Sequence, residues 1–268
     1  MAPKKFPQRI TIAVIGCGGT GSALMQNLMP YLAHRHGDPL VRIILCDGDT
    51  VEEKNLARQV FFEDQVGLNK AMALAESIEA TFDMTVSVCS HYLETVSDVD
   101  ALFADAYTKQ FPVLISCVDN LKARSVYEAW FEKQPQAVYV DCANEEYHGE
   151  VVYATRFNEK TISPVRSIVF PSFRQLLEEE IETLQFRSEM DCLQRSLSTP
   201  QHIFTNKMSG LLAANAISVF LDTQMPPMGV DYFSMRPVMS ITHRDTTSLI
   251  PAVVEESKPK PKRRKKAG

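Results

Sequence analysis

The segment Arg9-Ile10-Thr11-Ile12-Ala13-Val14-Ile15, followed at once by Gly16-Cys17-Gly18-Gly19-Thr20-Gly21, decides the fold. Its first part is an apolar, β-branched run, the pattern of a buried strand. The second part contains Gly-x-Gly-x-x-Gly. Leu24, Leu28 and Leu32 then recur at the spacing of one helix face. Strand, glycine loop and helix in this order make the phosphate-binding turn of a dinucleotide-type unit. The glycines permit a tight turn and let backbone amides approach a phosphate, and the helix N-terminus adds partial positive charge. Pro30 predicts a kink or an early end to this helix.

Working outward, Val41–Cys46 reads as a second buried strand that ends in Asp47-Gly48-Asp49. Residues 50–69 have no clean period and read as a long functional loop. A helix is expected from about Asn69, carrying Met72, Leu74, Ala75 and Ile78. Strands are expected at 84–89, 112–118 and 137–142, with helices at 96–109 and 121–133. This alternation predicts an α/β fold with a Rossmann-like, doubly wound, mostly parallel sheet. Residues 149–156 read as a strand of an antiparallel extension in the C-terminal half. Helices are expected at 174–185 and 208–222, separated by a polar, aperiodic stretch over 186–207.

The composition narrows the function classes. Of 268 residues, 45% are hydrophobic and 23% charged, ordinary values for a soluble enzyme. No apolar run reaches the ~20 residues of a membrane span. The stretch Ile10–Ile15 is too short for a signal segment and runs into the glycine loop, so a cytoplasmic protein with no membrane partner is expected. Cys17, Cys46, Cys89, Cys117, Cys142 and Cys192 form no CxxC pair, so zinc is not expected. Cys46, Cys89, Cys117 and Cys142 lie in apolar runs, where a buried reduced thiol is the usual state, and Cys17 reads as packing. The net charge of −5 hides an asymmetry: residues 258–268 carry seven basic groups, and the rest carries 21 basic against 33 acidic ones. An acidic body argues against a broad nucleic-acid face. The tail reads as a disordered, solvated segment, with a weak nucleic-acid contact as its functional alternative.

The nucleotide chemistry is read from the loops after the strands. Asp47, at the end of the second strand, stands where an acidic side chain accepts hydrogen bonds from ribose hydroxyls. Taken alone, Asp47 and the glycine loop favour NAD. The run Asp49-Thr50-Val51-Glu52-Glu53-Lys54-Asn55-Leu56-Ala57-Arg58-Gln59, leading to Asp64-Gln65-Val66-Gly67-Leu68-Asn69-Lys70, changes that reading. A hydride-transfer site has no need of Arg58 and Lys70, whereas a triphosphate does. Asn55 can hydrogen-bond a phosphate or ribose oxygen. Ser116-Cys117-Val118-Asp119-Asn120 ends a later strand and places Asp119 at the C-terminal rim of the sheet, suited to Mg²⁺.

Together GCGGTG, LCDGDTVEEKNLARQ, DQVGLNK and SCVDN resemble the ThiF/MoeB/HesA superfamily, which includes the ubiquitin-activating enzymes. The resemblance is strong over about residues 10–155. The chain's size and the segment around Cys192 look more narrowly like the ThiF-related protein of the PRTRC plasmid-associated system. The resemblance implies ATP and Mg²⁺ as cofactors and adenylation of the C-terminal carboxylate of a small ubiquitin-like protein ending in glycine. It implies a nucleotide-binding set of Gly16, Gly18, Gly19, Gly21, Asp47, Asp49, Asn55, Arg58, Gln59, Lys70, Asp119 and Asn120. Arg58, Lys70 and Asp119 would be catalytic, with Asp119 holding Mg²⁺. Cys192 resembles the family's crossover cysteine, which takes the activated carboxylate; its neighbour Asp191 would raise rather than lower the thiol pKa, so an inert loop cysteine stays open. His202 could assist, but a lone surface histidine is the plainer reading.

The implied organisation is one adenylation domain over 1–257, with a nucleotide-binding part at 9–145 and an acceptor and dimerisation part at 146–250. A homodimer is implied. Two features depart from the family: only eight residues precede Arg9, where an arginine often reaches the partner subunit's ATP, and the two zinc-binding CxxC pairs are missing. The competing functions are an NAD(P)-dependent oxidoreductase and a non-catalytic nucleotide-binding scaffold of a plasmid-associated system.

Overall fold

The computed structural model describes residues 9–35, 41–57, 59–104, 110–190 and 202–250. Arg58, Cys192 and the basic tail lie outside the described residues. Strand β1 (Arg9–Ile15) leads through the glycine loop into α1 (Gly19–His34). Then come β2 (Val41–Cys46), a short α2 (Glu53–Leu56), α3 (Lys70–Phe82) and β3 (Ser87–Cys89). They are followed by α4 (Val96–Leu102), β4 (Gln110–Ser116), α5 (Leu121–Lys133) and β5 (Ala137–Asn144). The C-terminal half contains β6 (His148–Phe157), β7 (Lys160–Ser163), α6 (Arg166–Val169) and α7 (Pro171–Glu180). It ends in α8 (Ile203–Thr223), β8 (Gly229–Ser234) and β9 (Ser240–Arg244).

The strands join in one sheet of order β3-β2-β1-β4-β5-β6-β8-β9, with β7 beside β6. Pairing is parallel from β3 to β5 and antiparallel from β5 onward. The fold is therefore the Rossmann-like, mostly parallel sheet with an antiparallel extension. Buried side chains of α1, α3 and α8 cover one face with Ile12, Val14, Val113 and Val140. Those of α5, with Leu93 and Val99, cover the other around Ala13, Leu114 and Tyr139. Such two-sided cover is why β1 and β4 read as unbroken apolar runs.

The chain leaves β1 in one direction to β2 and in the other to β4, so a crevice opens at the C-terminal ends of these strands. Among the described residues no helix is long and apolar enough to cross a membrane. Two local expectations are corrected. Pro30 lies inside α1, which does not end there but runs on to His34, with Met29 and Leu32 buried on either side of it. The aperiodic stretch 50–69 folds partly into α2 and a 3₁₀ turn at Glu63–Gln65.

Candidate active site

The glycine loop is built by sterics. Gly16 has φ +90, and a Cβ there would stand 2.8 Å from the Cys117 carbonyl oxygen. A Cβ on Gly21 would stand 1.8 Å from the Gly16 carbonyl oxygen, so the first turn of α1 can press against the loop only with glycine there. The Gly16 amide donates to Cys46 O (2.9 Å) and the Cys117 amide to Ile15 O (2.7 Å), which ties the loop to both flanking strands. No side chain caps α1, and its first turn has no acidic residue. Its first amides have no acceptor within the helix and carry the positive end of its dipole, so this end suits an anion.

Asp47 sits below the loop. Its Oδ2 accepts from the Cys17 amide (2.7 Å) and its Oδ1 from the Asp49 amide (2.8 Å). Burial pushes its carboxyl up, against the downward pull of Lys70. Asn69 orders the next turn. It caps α3 by accepting from the Ala71 and Met72 amides, and its amide donates to Asp47 O (2.7 Å) and Asp49 O (3.1 Å). Asn69→Ala removes both tasks. It is expected to lower stability by about 1–2 kcal/mol, the value of a lost N-cap, readable in urea melts.

Lys70, only 7% exposed, follows this cap and reaches Asp49 Oδ2 at 3.2 Å. Tyr92 donates to the other oxygen of Asp49. A residue that the sequence reading missed completes this cluster. Arg187 donates from Nε to Asp49 Oδ2 (2.8 Å) and from Nη1 to both oxygens of Asp119 (3.3 Å each). Burial pushes the Asp49 carboxyl up, but Lys70, Arg187 and Tyr92 outweigh it and hold it below its usual range. The sequence around Arg187 is polar and aperiodic, so no signal marked it.

Asp119 and Asn120 follow β4. Asn120 caps α5 through the Ala123 amide (2.8 Å) and donates to Gln185 O (2.8 Å). Beneath them Arg124 donates to Val118 O, to Cys142 O (2.7 Å) and to Asp141. Asp141 is fully buried and also accepts from Arg166, which reaches Glu150 at 2.6 Å. Two arginines and two carboxylates thus hold the loop that presents Asp119.

These residues converge on a cavity of about 780 Å³. Of the expected binding set, Gly16, Gly18, Gly19, Asp47, Asp49, Asn55, Gln59, Lys70, Asp119 and Asn120 line its wall. Gly21 stands behind the wall as packing. Gln59 lies over Gly18, and its Oε1 is buried with no hydrogen-bond partner among the described residues, an acceptor left for a ligand. Asn55 is buried and accepts from the Glu52 amide at 2.9 Å. The five described cysteines are free; Cys17 is buried and Cys117 is half-buried. His202 caps α8 and packs at a tilt against Tyr147, with 5.4 Å between ring centroids. Among the described residues no group of three or more His, Cys, Asp or Glu could hold a metal by itself.

Comparison with protein families matches residues 7–244 to the ThiF family. The ubiquitin-like modifier-activating enzyme 5 of Drosophila persimilis is 32% identical over 139 residues, covering 46% of this chain and 34% of that protein. The SUMO-activating enzyme subunit 2 of Dictyostelium discoideum is 30% identical over 118 residues, covering 44% of this chain and 16% of that protein. The matches with these relatives thus span 34% and 16% of their length. Among solved structures, E. coli MccB crystallised with AMPCPP and MccA has a TM-score of 0.61 at 17% identity, over 89% of this chain and 64% of that one. PaaA has a TM-score of 0.60 at 18% identity, over 89% of this chain and 73% of that one. Both share the fold.

Proposed function

This chain belongs to the ThiF family, and we propose that it adenylates the C-terminal carboxylate of a small ubiquitin-like protein ending in glycine, using ATP·Mg²⁺. The observation that carries this reading is the convergence of four elements on one cavity: the uncapped α1 terminus, Asp47, Lys70 and Asp119. The residues fit the nucleotide. Asp47 would take the ribose, the α1 amides a phosphate, and Lys70 with Arg58 the remaining phosphate charge. Asn55 and the free Gln59 acceptor would complete the contacts. They also fit Mg²⁺, which favours one or two carboxylates with phosphate oxygens over an all-protein cage. Asp119 would hold it, and the ion would neutralise phosphate charge.

A carboxylate oxygen of the substrate attacks the α-phosphorus. The bond from that phosphorus to the bridging oxygen breaks, and pyrophosphate leaves with its electron pair. The products are an acyl adenylate and pyrophosphate. No base is required, because the carboxylate is ionised at pH 7. The chain supplies position and positive charge. Cys192 is the proposed next acceptor: its sulfur would attack the acyl carbon and release AMP. A homodimer forms part of the reading, supported by the exposed Phe204, Leu211 and Val219 along α8.

Calorimetric titration of ATP·Mg²⁺ against NAD tests the site. ATP·Mg²⁺ is expected to bind, with a dissociation constant at least about 10-fold below that of NAD, a gap of some 1.4 kcal/mol. Tighter binding of NAD would instead favour an oxidoreductase.

A further inference from the structure

Arg187 pairs with two carboxylates of the cavity, one of them the proposed Mg²⁺ ligand. Its guanidinium bridges Asp49 and both oxygens of Asp119. The segment that carries it is strapped to the cavity rim. Asn120 donates to Gln185 O, Lys122 lies over the Phe186 ring at 4.5 Å and reaches Glu189 at 3.5 Å, and Ser188 donates to Glu94. Phe186 also packs against the core under α5. Arg187 is 25% exposed and Asp119 49%, so solvent and a divalent ion can reach the pair.

Mg²⁺ binds carboxylate oxygen at about 2.0–2.1 Å and demands near-octahedral order. A guanidinium nitrogen 3.3 Å from both oxygens of the same carboxylate takes up part of its lone-pair capacity and adds like charge beside the ion. The two cations therefore compete for Asp119. Lys70 also reaches Asp49, at 3.2 Å, so Arg187 is not the sole cation beside that carboxylate.

We propose that Arg187 is the counter-ion with which Mg²⁺·ATP competes for Asp119, a positioning residue whose displacement on nucleotide loading loosens the 185–190 segment from the cavity rim. The proposal rests on reading the cavity as an ATP·Mg²⁺ site. It assigns Arg187 no contact with the reacting atoms.

Hydrogen exchange on the full chain tests it, with the protein free, with Mg²⁺ alone, with the non-hydrolysable analogue AMPCPP in excess EDTA, and with Mg²⁺·AMPCPP. The amides to follow are those of Phe186, Glu189 and Met190, bonded within the segment. Mg²⁺·AMPCPP is expected to speed their exchange, and AMPCPP in EDTA to do so less. Arg187→Ala should exchange fast from the start and respond little. It should also bind Mg²⁺·AMPCPP about two- to fivefold more tightly, the upper range of an exposed ion pair. Arg187→Lys, which keeps the charge but not the fork, should fall between. Unchanged or slower exchange on binding would overturn the proposal, and so would weaker binding by Arg187→Ala, which would make Arg187 a nucleotide ligand. Wild-type protein that binds no Mg²⁺·AMPCPP would sink the ATP reading itself, an outcome distinct from binding without loosening.

Discussion

Lys70→Ala is expected to weaken the binding of ATP·Mg²⁺ by about 10- to 100-fold while leaving the affinity for AMP within a factor of about two, the size of a lost charge-assisted hydrogen bond. Lys70 opens α3 directly after its Asn69 cap and is almost wholly buried beside the cavity. A buried ammonium at a phosphate site acts through low-dielectric charge, so its loss falls on the β- and γ-phosphates that AMP lacks. The fold should survive, because Asp49 keeps Arg187 and Tyr92 as partners. Turnover should suffer more than binding, by about 10²–10³-fold, since charge grows on the leaving pyrophosphate. Isothermal titration with ATP·Mg²⁺ and with AMP reads the contrast. Equal losses for both nucleotides would place Lys70 on the nucleoside, against the proposed role.

Asp141→Ala is expected to cost about 3–5 kcal/mol of stability, the loss found when one partner of a buried ion network is removed. Asp141 is fully buried between Arg124 and Arg166, each nearly as buried. Burial and the neighbouring Arg166 already hold the Arg124 pKa down. Without the carboxylate, two guanidinium groups face each other in the interior. A domain holds only about 5–15 kcal/mol in total, so the variant should melt far below the parent or fail to fold. Glu150→Ala, at the more exposed end of the network, should cost less. The consequence reaches the site, because Arg124 also holds the Val118 carbonyl one residue before Asp119. Urea denaturation of the parent and both variants measures the effect. A loss below about 1 kcal/mol for Asp141→Ala would show that the network is not what holds this loop.

The parallel half of the fold was legible because its strands are buried on both faces and so read as apolar runs. The glycine loop was legible because only glycine fits at Gly16 and Gly21. The antiparallel half was legible only at β6. β9 is exposed along its whole length, and β7 is four residues long, so neither has a burial pattern to read. β4 reads two residues out of place, since Gln110 starts it and Ser116 ends it. The helix expected at 174–185 begins at Pro171, whose fixed φ suits the first helical position, and ends at Glu180.

Within the site, Asp47, Lys70 and Asp119 were readable because each follows a strand or opens a helix. What was not readable is how those charges are paired within the protein. Arg187 lies far along the chain from Asp49 and Asp119, and pairing at such distance leaves no periodic trace. Arg124 and Asp141 were missed for the same reason: each looks like one polar residue in a helix or strand, and only the tertiary structure makes them a buried pair.

Pyrophosphate–ATP exchange reports whether this site activates a carboxylate with ATP. Labelled pyrophosphate should enter ATP when the protein is given Mg²⁺, ATP and its partner, a small protein with a free C-terminal glycine. The label should stay out when that C-terminus is amidated, because no carboxylate remains to attack. Exchange that ignores amidation, or no exchange although the partner and ATP·Mg²⁺ both bind, would contradict the account.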